Sequence, residues 1–324
     1  MADGLVTPAV AGVMYAASTA AAIYSIRKIK SEDKKIPLMG IMGAFVFAVQ
    51  MLNFTIPGTG SSGHLCGGLL LSAILGPYAG FITMISILVI QCLMFADGGL
   101  LALGCNIWNM AFYGCFIGYL FIYKPIISKG NGNGRIILAS VLASVISLQL
   151  GAFSVVIETM LSGVTELPFA VFLSLMQPIH LAIGIGEGLI TSAVLIFISQ
   201  TRPELLDYNT ESQNKFSYKK TLAILCIAVA VLAGGGSLFA SSNPDGLEWS
   251  IERVTGVTDI DRDGKIYKKA DDIQSKLAVL PDYALPDNDS AIGTSLSGIV
   301  GCTVVMVICI GGALAVRKIS KRKA

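Results

Sequence analysis

Charge is scarce in this chain and histidine scarcer. Only 14% of its 324 residues are Asp, Glu, Lys or Arg, against roughly 25% in soluble domains. There are two histidines, His64 and His180. So little charge excludes a soluble globular protein. No Gly-x-x-x-x-Gly-Lys-Ser/Thr loop is present, so no site for nucleotide phosphates is recognisable. A catalytic serine elbow and a His-Glu-x-x-His pattern are also missing, and no enzymatic activity is expected. If transport here is driven by ATP, another subunit must hydrolyse it. The seven cysteines form no Cys-x-x-Cys pair. The apolar runs are continuous rather than alternating, which excludes a membrane β-barrel. With a net charge of only +2, nucleic acid is not an expected partner.

The chain is rich instead in long apolar runs, and its mean hydropathy is +0.72. A bilayer core takes about 20 apolar residues in a helix. The predicted helices are Ala9–Ile26, Pro37–Phe54, Leu65–Leu75, Tyr78–Phe95, Leu101–Tyr123, Ile136–Leu161, Pro168–Ser199, Thr221–Ala240 and Ile292–Val316. The fold class is therefore an all-α polytopic membrane protein with about nine transmembrane helices. Basic residues follow the first apolar segment rather than precede it, so it reads as a retained helix and not a signal peptide. The third segment is too short to span alone at 1.5 Å per residue, which places His64 inside the protein. Gly76-Pro77 ends it, because proline cannot continue a helix.

Four basic clusters set the expected orientation: Arg27 to Lys35, Lys124 to Arg135, Arg202 to Lys220, and Arg317 to Lys323. All four fall on one side if the third segment counts as a crossing, and the positive-inside rule makes that side cytoplasmic. The N-terminus and residues 241–291 then lie outside the plasma membrane, and the C-terminus lies within. Residues 241–291 carry eleven acidic and six basic side chains, a net charge of −5, and form an acidic extracytoplasmic module. An acidic surface attracts cations. The expected divisions are a membrane domain over 1–200, a cytoplasmic linker over 201–220, and a two-helix part with the acidic module over 221–324.

The most informative motif is Pro57-Gly58-Thr59-Gly60-Ser61-Ser62-Gly63-His64-Leu65-Cys66-Gly67-Gly68. It is a polar, glycine-rich bend between apolar segments. Non-helical backbone at membrane depth persists only where protein buries it or it lines a cavity. Imidazole binds borderline cations such as Ni²⁺ and Co²⁺, so His64 reads either as a metal ligand or as a cap at a helix start. Within the spans the ionisable residues are Glu158, His180 and Glu187. His180 and Glu187 are seven apart and share a helix face. They read as a polar coupling track or as a packing pair. Asn106 and Asn109 are candidates to support the site, or simple helix-end residues. Asp259-Ile260-Asp261-Arg262-Asp263-Gly264 starts like a calcium loop, but Ala270 stands where the bidentate Glu is needed.

Several of these features occur together and in order. Met1-Ala2-Asp3-Gly4-Leu5-Val6, the bend around His64, Leu75-Gly76-Pro77-Tyr78-Ala79-Gly80, Asp97-Gly98-Gly99-Leu100, Gly104-Cys105-Asn106 and the stretch from His180 through Glu187 to Thr191 resemble the CbiM/NikM family. These are the substrate-binding membrane subunits of energy-coupling-factor cobalt and nickel importers. The resemblance covers residues 1–200. Asn243-Pro244-Asp245-Gly246-Leu247-Glu248-Trp249 is similar to the PDGLE/NikN-type accessory component, fused here to the first part. The resemblance implies seven helices in the substrate subunit and an N-terminus inserted toward the bundle centre. It also implies a near-planar nitrogen site made by the N-terminal amine, a second-position histidine and the loop histidine, which is His64. Asn106 would support that histidine. No resident cofactor is implied; Ni²⁺ or Co²⁺ is the cargo, and the fused NikN-like part tilts the reading toward nickel. Implied partners are ATPase subunits and a coupling transmembrane subunit of the CbiO/CbiQ or NikO/NikQ type. Family members begin Met-His, whereas this chain begins Met1-Ala2-Asp3, as though two residues stood in front. Met1 therefore marks the expected ligand region without its histidine. The rival reading is a stand-alone proton-coupled metal carrier using Glu158, His180 and Glu187. An intramembrane enzyme built on His64 and Cys66 ranks last, because no third group stands at a supporting spacing.

Overall fold

The computed structural model describes residues 1–29, 35–206, 217–236, 240–285 and 291–321. Lys30, Lys34, Lys215, Arg322 and Lys323, with half of the linker 201–220, lie outside the described residues. Eleven helices and one hairpin follow in chain order: α1 (Pro8–Lys28), α2 (Lys35–Gln50), β1 (Phe54–Ile56), β2 (Ser61–Gly63), α3 (Gly68–Leu75), α4 (Pro77–Phe95), α5 (Leu103–Ile127), α6 (Asn133–Leu161), α7 (Phe169–Thr201), α8 (Tyr218–Gly234), α9 (Gly246–Thr255), α10 (Lys265–Leu277) and α11 (Ala291–Lys321). Each of the nine apolar segments read from the sequence contains a helix; residues 237–239, near the end of the eighth, lie outside the described residues. Among the described residues, six helices, α1, α4, α5, α6, α7 and α11, are long and apolar enough to cross a membrane. Large apolar side chains such as Val13, Phe121, Leu161, Leu189 and Val307 are exposed, as expected of a lipid-facing surface.

Helix α2 is apolar on all sides, the pattern of a helix buried all round. Residues Leu38 through Gln50 are all buried, because α4, α8 and α11 enclose it. The two long apolar helices after residue 217, α8 and α11, therefore pack on the first part rather than beside it. Helices α6 and α7 form the most extensive helix pair, and α3 sits between α4 and α5. The middle of α5, Ile107–Tyr123, is wound as a π-helix.

Two boundaries around the bend differ from expectation. The second segment was read as helical through Phe54, but α2 stops at Gln50 and Phe54 opens strand β1. The glycine-rich bend is an antiparallel hairpin, with Phe54 opposite Gly63 and Ile56 opposite Ser61. Its alternating small and polar residues suit paired strands, and period-two alternation had been masked by the glycines. Helix α3 starts at Gly68 rather than Leu65. Gly67 precedes it with φ +79°, and a Cβ there would lie 2.4 Å from Val46 Cγ1. Only glycine satisfies both demands. Helix α3 is then about 12 Å long, and it begins deep in the protein.

Candidate metal site

His64 leaves the hairpin immediately after β2 and before α3. Its Nδ1–H donates to the Leu65 carbonyl at 3.1 Å, which fixes the tautomer and leaves Nε2 with its lone pair. That Nε2 faces Asp245 Oδ2 at 3.9 Å, and the side chain is 28% exposed. The position is set by the peptide units on either side. Glu187 of α7 accepts from the Cys66 N–H at 2.8 Å and the Gly67 N–H at 3.1 Å. Gln50, the last residue of α2, donates to the Cys66 carbonyl at 2.8 Å. The loop is thus held from two helices. The Gly63 backbone lies so close to α7 that a Cβ would fall 2.5 Å from Ile183 Cγ1.

The N-terminal residues run into the same region. Asn106 donates from Nδ2 to the Met1 carbonyl at 3.2 Å, and the Gly99 N–H donates to it at 3.0 Å. Asp3 Oδ1 accepts from the Ala102 N–H at 3.0 Å. Burial pushes the Asp3 carboxyl above its ordinary value, partly opposed by the Ala102 and Leu101 N–H groups. Leu5 and Val6 are fully buried. A cavity of about 960 Å³ is lined both by Met1, Ala2 and Asp3 and by His64. Nine carboxylates line it against two basic side chains, Arg262 and Lys268. Among the described residues, no three His, Cys, Asp or Glu side chains converge on a metal-sized site.

Several of the carboxylates come from the 241–291 segment, which wraps both halves of this region. Over the hairpin, the Ser62 N–H and Oγ–H donate to Pro244 and Asn243 carbonyls at 2.8 Å each, and Trp249 Nε1–H donates to Thr59 O at 3.1 Å. Asp245 caps α9 through Oδ1, accepting from Leu247 and Glu248 N–H groups, and Glu248 closes the capping box. Over the N-terminus, Tyr267 donates to the Val6 carbonyl at 2.9 Å, and Ile260 O lies where a Gly4 Cβ would sit, 1.5 Å away. Gln274 of α10 donates to Gly98 O at 2.7 Å, in the loop that holds Met1. Within the calcium-like turn, Asp259 Oδ1 accepts its neighbour's N–H, Asp263 pairs with Lys268, and Ala270 is buried.

The remaining candidates divide. Asn106 touches Met1 rather than His64. Asn109 donates to Glu158 Oε2 at 2.8 Å in a separate buried pair. His180 Nδ1–H donates to Met176 O at 2.8 Å in its own helix, two turns from Glu187. Glu187 is occupied by backbone N–H groups. Glu158, His180 and Glu187 are therefore not joined by direct hydrogen bonds. Sequence reasoning missed Gln50 and Asp245. Gln50 carried a signal, as a polar residue ending an otherwise apolar run.

Comparison with known proteins identifies the family. A family model described as "cobalt uptake substrate-specific transmembrane region", CbiM, matches residues 1–205. The chain belongs to this family. A second model, the PDGLE domain, matches residues 219–318. A putative fused nickel transport protein NikMN from Archaeoglobus fulgidus is 36% identical, over 94% of this chain and 95% of that protein. A probable fused nickel transport protein LarMN from Lactiplantibacillus plantarum is 28% identical, over 78% of each. A crystal structure of a transition metal transporter superposes with a TM-score of 0.54 at 32% identity, covering 61% of this chain and 92% of that one. This CbiM-family protein is thus a multi-pass membrane transport component of the CbiM/NikM type, with a PDGLE part fused behind it.

Proposed function

We propose that this CbiM-family chain is the metal-binding permease component of an energy-coupling-factor importer for Ni²⁺ or Co²⁺. The observation that carries the reading is one cavity lined by both the N-terminal residues and His64. His64 Nε2 is its free imidazole nitrogen, since Nδ1 is engaged by the Leu65 carbonyl. Side chains alone do not complete a ligand set among the described residues, which favours one completed by backbone and amine nitrogens at the N-terminus. Nitrogen ligands in a near-planar set suit Ni²⁺ and can also hold Co²⁺. The carboxylate-rich walls raise the local concentration of cations. Cargo enters from the side of the acidic module, which we assign as extracytoplasmic on the distribution of basic residues. Release inward depends on ATPase and coupling subunits, because the chain has no phosphate-binding loop of its own. The names of the fused relatives favour nickel.

The test is Ni²⁺ and Co²⁺ binding by the purified full chain, the same chain preceded by Met-His, and that extended chain carrying His64→Ala. Tight binding by the extended form that His64→Ala abolishes is the expected result. Equal binding by all three removes His64 from the site.

A further inference from the structure

A second cavity, of about 440 Å³, opens at the opposite membrane face, where Lys28 ends α1, Lys35 starts α2 and Lys124 lies near the end of α5. These three lysines rim it. The walls below are apolar, built from residues such as Met39, Ile82 and Ile308. The volume lies within the range of small-ligand sites. The first residues of α4, Pro77 to Ala79, also line it, and no side chain caps that helix, so the Tyr78 and Ala79 N–H groups at its start add positive potential. Thr83 lines the cavity, is fully buried, and its Oγ1 has no hydrogen-bond partner. Tyr24 and Tyr78 meet edge to face at 5.8 Å beside the rim, with Lys28 Nζ 5.6 Å from the Tyr24 ring. Tyrosines at this level mark the membrane–water interface.

We propose that this cavity is a binding site for an anionic phospholipid of the cytoplasmic leaflet. The phosphate lies among Lys28, Lys35 and Lys124 at the α4 N-terminus, and an acyl chain descends along the apolar wall. A cation-rimmed opening over an apolar shaft at the interface fits an amphiphile with a negative head better than a free anion or a neutral lipid. The inference is independent of the metal-site reading and uses only the membrane orientation.

The full chain in detergent is titrated with phosphatidylglycerol or phosphatidylcholine, and bound lipid is counted by native mass spectrometry. One phosphatidylglycerol is expected to bind at least about tenfold more tightly than phosphatidylcholine, since each lysine near an anionic group is worth a factor of about five. The triple variant Lys28→Gln, Lys35→Gln, Lys124→Gln is expected to lose that preference. Gly312→Phe fills the shaft from a position where a Cβ meets no atom within 4 Å, so folding is preserved, and it is expected to weaken both lipids. Equal affinity for the two lipids overturns the proposal. So does displacement by inorganic phosphate alone, which would make this a phosphate site. Unchanged binding in Gly312→Phe, or a lipid-free groove that instead pairs two copies of the chain, overturns it as well.

Discussion

Replacing Glu187 by Gln separates the two roles open to this buried carboxylate. Its two oxygens accept the Cys66 and Gly67 N–H groups at 2.8 and 3.1 Å, and it is 1% exposed. A glutamine offers one oxygen and one NH₂. Whichever way the amide turns, one backbone N–H faces a donor. A hydrogen bond to a charged group contributes about 1.5–3 kcal/mol, and an orphaned buried N–H costs about 1–3 kcal/mol. Removing a buried charge recovers part of its desolvation cost, which leaves a net loss of roughly 2 kcal/mol. The same peptide units orient His64, so a comparable loosening of the loop weakens metal binding by about tenfold or more. Thermal unfolding of the purified chain and Ni²⁺ titration of the Met-His-extended form are the assays. His64→Ala, which removes a partly exposed side chain, is the control that lowers affinity with little change in stability. Gln50→Leu, which frees the Cys66 carbonyl from the other side, is expected to resemble Glu187→Gln. If Glu187→Gln keeps stability and affinity but makes uptake indifferent to the proton gradient, the structural role is refuted and the proton-relay reading stands in its place.

Asp245→Ala removes both carboxylate contacts of the α9 cap and is expected to destabilise α9 by about 1 kcal/mol, read as faster amide exchange over residues 246–255; unchanged exchange would count against the cap. Gly4→Ala puts a methyl 1.5 Å from Ile260 O, so exchange is expected to rise in residues 1–7 and 258–264 together, and protection that survives intact would sink the interlock. Asn106→Leu leaves the Met1 carbonyl with one donor fewer and is expected to weaken metal binding severalfold while thermal stability changes by at most about 1–3 kcal/mol; unaltered affinity would detach the N-terminus from the site. Partial desolvation in the cavity wall, with Asp261 nearby, raises the largely exposed Asp259 carboxyl above its ordinary 3.8 despite the Ile260 N–H. An acid with a raised folded pKa favours the fold below its unfolded value and loses that contribution as pH rises through the folded one. Residues 258–264 are therefore expected to be better protected near pH 4 than at pH 7, and Asp259→Asn is expected to flatten the difference.

Helix existence was legible because apolar runs of spanning length have few alternatives. The hairpin was not: glycine and serine hide the alternation that marks a strand, and its pairing is fixed by α7 and by Pro244 from another part of the chain. His64 stood out because histidine is rare and the bend around it polar. Glu187 was visible as a charge in an apolar helix, but its seven-residue spacing from His180 suggested a partnership within α7. The stronger partners are backbone N–H groups from another helix start, which no intrahelical spacing encodes. Asn109 and Glu158 were read separately, and only the packing of α5 on α6 joins them. Asp245 escaped because His64, whose Nε2 it faces, lies more than 180 residues earlier in the chain.

The acidic module was read from charge as a cation-attracting appendage, and its contacts assign it a more specific place. It holds the hairpin through Pro244, Asn243 and Trp249, and it holds the N-terminal residues through Tyr267, Ile260 and, across the Gly98 loop, Gln274. These are the two segments that carry His64 and Met1. Neither is a regular element of the membrane bundle, so each depends on contacts outside itself for a defined position. A module touching only one could attract cations equally well by charge, but it could not couple the two. Coupling predicts that loosening either contact raises amide exchange in both segments, whereas charge alone predicts that neutralising exposed acids such as Asp263 changes capture rate and salt dependence without altering exchange. The fused arrangement then has a physical reason. In the proposed reading, fusion places the clasp at high effective concentration over the two segments that flank the α1–α2 pair in the chain.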